Sequence, residues 1–278
     1  MIHVAIATCR GVDVDPDSPL LLDAFARRGV EAQLAVWDAD VDWGHYDLVV
    51  IRSTWDYTAR RAQFLTWARS LARVLNPYEV LEYSSDKHYL ADVGRHHRVV
   101  TSTFCDVGDE PRFPEGDFVV KPCVGAGSLD VDRYRSHDHE RAVAHVARLH
   151  AHGRDALIQP YVTSVDVVGE RALVFIDGAF SHAMTKGAML NVAQLDRNAL
   201  FRREQMSRAT PEPDAVDFAE SLLTEAGFAD LLYARVDLVN TEHGWALMEL
   251  ELVEPSLFLS FDGTAADRLV DAVIRRLD

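Results

Sequence analysis

Lysine is nearly missing from this sequence. Among 28 basic residues in a chain of 278, only Lys87, Lys121 and Lys186 are lysine. A coding bias toward arginine explains the scarcity but not where the three survivors stand, because a compact ammonium and a forked guanidinium do different work. Cysteine is as sparse. Cys9, Cys105 and Cys123 are odd in number and widely spaced, which argues against a disulfide framework or a zinc knuckle. No apolar run reaches the roughly 18 residues of a membrane helix. No G-x-G-x-x-G follows the first strand-like segment, so a nicotinamide-binding reading fails. No signal-peptide pattern precedes IHVAIA, and a cytoplasmic location is the expectation. Positive charge is in deficit overall, with 44 acidic residues and a net charge of −16. That balance speaks against nucleic acid or a membrane surface as partner. An anionic small ligand would need a local positive site and a metal ion.

What is present reads as an alternating chain long enough for several packed units. Over the first 80 residues, strand-like IHVAIATC (2–9), VEAQLAVW (30–37) and YDLVVIRS (46–53) alternate with helical PLLLDAFARRG (19–29) and ARRAQFLTWARSLAR (59–73). This alternation predicts a parallel sheet with helices on its faces and ligands beyond the strands' carboxyl ends. That places Thr8, Cys9 and Arg10 near Arg52, Ser53 and Thr54. A small α+β unit follows, with helices over 85–94 and 138–152 and strands near 101–107, 118–128 and 156–162. The last part carries a hairpin with an Asp-Gly turn (171–186), a helix (214–227), a second hairpin (232–253) and an amphipathic helix (264–277). The expected units are 1–80, 81–160 and 161–278.

Two constellations carry chemistry. Lys121 ends a strand and leads into PCVGAGS, where backbone N–H groups around Gly125, Gly127 and Ser128 could cradle phosphate oxygens. A glycine hairpin after a strand would look the same, and the order of residues is not that of a Walker A loop. Lys87, in SSDKHYLA, reads as a first-turn helix residue capped by Asp86 or Ser85. The acidic set says more. Asp237 interrupts the apolar strand ARVDLV, and in MELELVEP Glu249 and Glu251 share one strand face. If the two strands pair across a turn at 240–244, three carboxylates converge, and oxygen-only ligands suit Mg²⁺. A polar outward strand face is the bland alternative. The histidine pairs His96-His97 and His137/His139 lack partners at metal-ligand spacing and read as surface residues.

In their order along the chain these pieces resemble the ATP-grasp superfamily, in the branch similar to glutathione synthetase. The pieces are an αβ domain, a lysine before a small lid, a lysine before a Gly-rich loop, Q-P-Y at a hinge, a G-E-R strand and a terminal D…E-x-E set. RSTWDY (52–57), GERALVFIDGAFSHAMTKG (169–187) and ELELVEPSLF (249–258) look most like the D-cycloserine-forming ligases, which close O-ureidoserine into an isoxazolidinone ring. The resemblance implies an N-terminal Rossmann-like pre-ATP-grasp domain, a small α+β lid and a C-terminal α+β domain. It implies a carboxylate–amine ligase acting through an acyl phosphate, with intermolecular amino-acid ligation and a non-catalytic ATP-binding module as alternatives. It also implies ATP and Mg²⁺. Many members have asparagine where Glu251 stands, and the extra charge here calls for two ions.

By the same resemblance, Lys87 and Lys121 would contact the α- and β-phosphates, with Gly125, Gly127 and Ser128 in a mobile lid loop. Gln159, Tyr161 and Val162 would lie at the adenine hinge, and Asp166 near the ribose. Arg171 and Lys186 would face the phosphates or the activated carboxylate. Asp237, Glu249 and Glu251 would hold Mg²⁺, and Arg235 would stabilise the tetrahedral oxyanion, with Arg171 second. For an amino-acid-like substrate, Arg52 would take the carboxylate, Ser53 and Thr54 would hydrogen-bond, and Asp56 would take the ammonium. Ser256 would reach the same small pocket. A homo-oligomer is left open.

Overall fold

The computed structural model describes residues 2–11, 15–187 and 206–277. Three sheets organise it. The first is parallel, in the order β2-β1-β3-β4, from β1 (His3–Thr8), β2 (Glu31–Val36), β3 (Leu48–Ser53) and β4 (Val74–Leu75). Helices α1 (Asp17–Arg27) and α2 (Arg61–Ser70) connect its strands. Period-two alternation decides which core each residue joins. Val4 and Ile6 face a core with α1, whereas Ala5 and Ala7 face Phe64 and Leu65 of α2. The carboxyl ends of β1 and β3 meet as expected: Cys9 N–H donates to Ser53 O at 3.0 Å, and the Thr8 and Ser53 hydroxyls are 2.9 Å apart.

Short helices α3 (Tyr78–Ser84) and α4 (Tyr89–Val93) lead to an antiparallel sheet in the order β5-β8-β6-β7. Its strands are β5 (Thr103–Cys105), β6 (Phe118–Pro122), β7 (Asp132–Tyr134) and β8 (Ala156–Pro160), backed by α5 (His139–Ala151). Of the helix expected over 85–94 only α4 forms, and Lys87 lies in the turn between α3 and α4. The Lys87 N–H is taken by Cys123 O at 2.9 Å, so it does not join a helical ladder. Asp86 accepts from His88 N–H and forms a local turn, where a helix cap was expected.

The third sheet is antiparallel, in the order β11-β10-β9-β12-β13. It comprises β9 (Glu170–Ile176), β10 (Ala179–Lys186), β11 (Met206–Ala209), β12 (Tyr233–Thr241) and β13 (Gly244–Glu251), flanked by α6 (Val165–Val168) and α7 (Pro213–Glu225). The β9–β10 turn has Asp177 and Gly178 both at positive φ, 55° and 74°, which is the geometry the Asp-Gly pair announced. One face of this sheet is apolar at one end, where Val174, Ile176, Met184 and Tyr233 join the core under the first sheet. Helix α8 (Ala265–Arg275) returns to that core and lies against α1, where Arg27 and Arg28 pair with Asp267. The three cysteines are free and buried, and no described helix is long and apolar enough to cross a membrane.

Asn76 joins the first and third sheets. Its fully buried amide donates to Tyr233 O (3.0 Å) and Leu252 O (2.8 Å) and accepts from Leu232 N–H (3.1 Å). Asn76→Ala strands three buried backbone groups and is expected to lower stability by about 3 kcal/mol. Equilibrium denaturant unfolding measures the loss.

Candidate active site

The face of the third sheet that begins as apolar core ends as charge. Continuing along β9 from Val174 come Ala172 and Glu170; along β10 from Met184 comes Lys186; along β12 from Tyr233 come Arg235 and Asp237. Register then completes the set, because Asp237 pairs with Glu249 and Arg235 with Glu251 across the β12–β13 hairpin. Ala172, opposite Asp237 on the other side, leaves room beside it. Asp237, Glu249 and Glu251 each offer an oxygen within 4.8 Å of the others. The convergence of three carboxylates is therefore a property of strand alternation and hairpin register.

Cations hold these carboxylates in place. Arg235 donates to Asp237 from Nε (2.9 Å) and Nη2 (3.0 Å) and also pairs with Glu251. Lys186 pairs with Asp237 and reaches Glu170 at 3.2 Å. Lys121 Nζ donates to Glu249 at 2.8 Å; Lys87 Nζ lies 3.8 Å from the same carboxylate and donates to Gly125 O at 2.9 Å. All three lysines of the chain thus meet one carboxylate cluster. Burial would raise every acid here, but the cations decide the outcome. Asp237 is lowered because Arg235 and Lys186 outweigh its burial, and Lys121 and Lys87 hold Glu249 well below the carboxylate range. Glu251 and Glu170 are less well compensated, and burial pushes each up to about 7. A set of carboxylates that needs this much compensation, with oxygen donors only, fits a hard divalent cation such as Mg²⁺.

Glu249 and Glu251 of this cluster line a cleft whose other walls include Lys87, Gly125, Tyr57, Ser85 and Glu254. The loop after Lys121 turns tightly above it. A Cβ at Gly125 would stand 2.7 Å from the Pro122 ring, and Gly127 and Ser128 both have φ near +60° (60° and 55°). The hinge residues lie between the second and third sheets. Gln159 Nε2 donates to Ser102 Oγ, and the Tyr161 N–H is taken by Asp117 O. Val162 packs with Val100, Val239, Ala246 and Met248. Asp166 accepts from the Tyr161 hydroxyl (2.6 Å) and pairs with Arg133 (3.2 Å).

Other expected residues are not brought to this cleft. Arg171 projects from the opposite sheet face and is held by Glu212, Val168 O and Thr185. Arg52 is buried over the Tyr233 ring, near Asp17 (3.6 Å), and donates to Pro255 O (2.9 Å), with its Nε and Nη1 unpartnered. Ser53 meets Thr8, the Thr54 hydroxyl is buried without a partner, and Asp56 is occupied by Trp37 Nε1 and Arg60. Ser256 offers its carbonyl to Arg235 at 3.0 Å. Two acids were missed. Glu170 sits in the G-E-R motif that was read for its arginine, and Glu254 follows the end of β13, where alternation no longer tells direction. Burial and then the charge of Glu251 push Glu254 up to about 8; burial and then Glu254 push the Tyr57 hydroxyl far up. The paired histidines read as surface residues join no metal-type group among the described residues, although His88 lies between Asp86 and Asp106.

Residues 4–76 match the family described as D-cycloserine synthetase DcsG, N-terminal domain. The cycloserine biosynthesis protein DcsG of Streptomyces lavendulae is 37% identical over 286 residues, covering 95% of each chain. The crystal structure of D-cycloserine synthetase DcsG superposes with a TM-score of 0.85 at 35% identity, over 99% of this chain and 100% of that one. D-Alanine–D-alanine ligase from Bacillus anthracis, complexed with ATP, shares the fold at 12% identity, with a TM-score of 0.70 over 100% and 97% of the two chains. The ATP-grasp ligase PsnB, with a precursor variant, Mg and ADP, does so at 14% identity and a TM-score of 0.62, over 99% and 98%. The fold is the ATP-grasp fold, and its class is the carbon–nitrogen ligases. Within that class, the chain belongs to the D-cycloserine synthetase family.

Lys121→Met and Glu249→Gln are each expected to lower ligase turnover by at least about 10³-fold while the far-ultraviolet circular dichroism stays native, since the first would remove an ammonium expected at the phosphates and the second a carboxylate expected on Mg²⁺. Lys87→Arg should lose most of the activity, because a fork does not replace an ammonium against Gly125 O. Below about pH 7 the proton held by Glu251 competes with a metal ion, so Mg²⁺ affinity should rise as pH is raised through that value. Calorimetric Mg²⁺ titration on either side of neutrality measures it.

Proposed function

We propose that this ligase binds Mg-ATP in the cleft between its second and third sheets and phosphorylates the carboxylate of a small amino-acid-like substrate. The nitrogen of the same molecule then attacks the acyl carbon, forming the ring C–N bond as inorganic phosphate leaves, as in the conversion of O-ureidoserine to an isoxazolidinone. The observation that carries this reading is the meeting of every lysine in the chain with one buried carboxylate set, in a chain that shares 37% identity with a cycloserine biosynthesis protein.

A carboxylate is a poor acyl donor because oxide leaves badly; the phosphate of an acyl phosphate leaves well. Phosphoryl transfer demands alignment and charge neutralisation more than covalent chemistry by the protein. In this reading Lys87 and Lys121 hold phosphate oxygens, with the N–H groups around Gly125, Gly127 and Ser128 closing over them. The apolar wall of Val100, Val162 and Met248 takes the adenine, with Gln159 and Tyr161 at its edge and Asp166 toward the ribose. Asp237, Glu249 and Glu251 are the residues that would hold Mg²⁺, as two ions. Mg²⁺ bound there supplies neutralisation of the charge between the β- and γ-phosphates. Lys186 and Arg235, which lie against Asp237, would face the acyl phosphate and the tetrahedral oxyanion. Arg52 acts indirectly, by fixing Pro255 and hence the segment that follows β13. Exclusion of water by the 123–130 loop protects the acyl phosphate from hydrolysis.

The test is ADP release with Mg-ATP and either enantiomer of O-ureidoserine alone, with the product followed by mass spectrometry. A cyclic product from one compound is expected. Release that needs a second amino acid would assign intermolecular ligation instead, and no release over a broad panel would sink the ligase reading.

A further inference from the structure

The segment after β13 is fixed at three successive carbonyls by three elements. Trp55 Nε1 donates to Glu254 O (3.3 Å), Arg52 Nη2 to Pro255 O (2.9 Å) and Arg235 Nη1 to Ser256 O (3.0 Å). Asp17 then accepts the N–H groups of Leu257 (3.1 Å) and Leu259 (2.8 Å). Few loops are held so completely, and what this one presents to the cleft is Glu254. The residue lines the cleft and is only 9% exposed, and no hydrogen bond or ion pair joins its carboxylate to another described residue. Glu254 also stands outside the trio whose oxygens converge within 4.8 Å, so it is not one more member of that cluster. A rigidly placed, mostly buried and unpartnered carboxylate is costly unless something cationic completes it.

Resting on the ligase reading above, we infer that Glu254 seats the ammonium group of the amino-acid-like substrate. The chemistry of the neighbourhood selects that cation. Ser84 Oγ already donates to Leu250 O, and Ser85 Oγ donates to Glu82 O and accepts from Arg61, so the serines on this wall are engaged. Tyr57, whose ring lies tilted against Phe64 with centroids 4.8 Å apart, brings its hydroxyl near Glu254 on the same wall. One carboxylate and one phenol hydroxyl match a compact ammonium with its three N–H donors, and Lys87 across the cleft suits the anionic end of the pair. Asp56, read from the sequence for this role, is consumed by Trp37 and Arg60. The ammonium is a spectator in ring closure, so this seat sets which carboxylic acids enter the cleft and how they lie, not the bond-making step.

Calorimetry with O-ureidoserine and with its deamino analogue, 3-(ureidooxy)propanoic acid, tests the assignment. Each is titrated into full-length protein loaded with Mg²⁺ and a non-hydrolysable ATP analogue. Wild-type protein is expected to favour the ammonium-bearing compound at least about tenfold. Glu254→Gln should bind the two compounds equally while keeping its affinity for the ATP analogue. Glu254→Asp, which retains the charge on a shorter arm, should weaken O-ureidoserine alone, and it decides the matter if the glutamine variant does not fold. Equal binding of the two compounds by wild type, binding of neither, or a preference surviving in Glu254→Gln overturns the inference. A preference that holds in wild type without any ADP release would overturn the ligase reading and leave the ammonium seat standing.

Discussion

Asp237 is fully buried within reach of two other carboxylates, and that arrangement is tolerable only because Arg235 and Lys186 lie against it. Much else follows from this one electrostatic constraint. Arg235 must sit two residues before Asp237 to share its face, Lys186 must end β10 opposite Glu170, and β9 must carry a residue as small as Ala172 at the crossing point. Replacement of such cations by apolar groups would leave uncompensated buried charge. The two cations thereby hold the buried carboxylate in one position.

The same constraint shows how an acidic protein can gather positive charge at one place. Net charge describes the surface as a whole, whereas binding is decided by the few groups facing the ligand. Lys87, Lys121 and Lys186 come from a turn, a strand end and another strand end, far apart in sequence, and meet at one set of carboxylates. Arginine suffices for the periphery, as in the pairs of Arg28 with Asp267 and Asp271.

Much of this was legible in sequence, for definable reasons. Strand alternation put Glu249 and Glu251 on one face, and the hairpin length brought Asp237 opposite Glu249, so local periodicity encoded the cluster. The Asp-Gly turn and the βα alternation of the first 75 residues are equally local. What escaped depends on distant partners. Arg52 looks like a ligand residue at a strand end, but it is spent on Pro255, about two hundred residues on. Asp56 looks free until Trp37 and Arg60 close on it. The helix expected over 85–94 starts only at Tyr89, and the Lys87 N–H before it goes to Cys123 O. Arg171 fails by one step of alternation, since its neighbour Glu170 is the residue on the charged face.

The packing of α8 on α1 bears on how such a chain is made. Arg27 reaches Asp267 across 240 residues, and Val4, Ile6, Leu21 and Phe25 share a core with Leu269 and Val273. The first βα units can form on the ribosome, but one of their apolar faces stays bare until α8 emerges. During that interval the nascent chain is a client for chaperones and a candidate for aggregation. Loop-closure entropy of this kind also makes the last docking event slow relative to formation of the local hairpins.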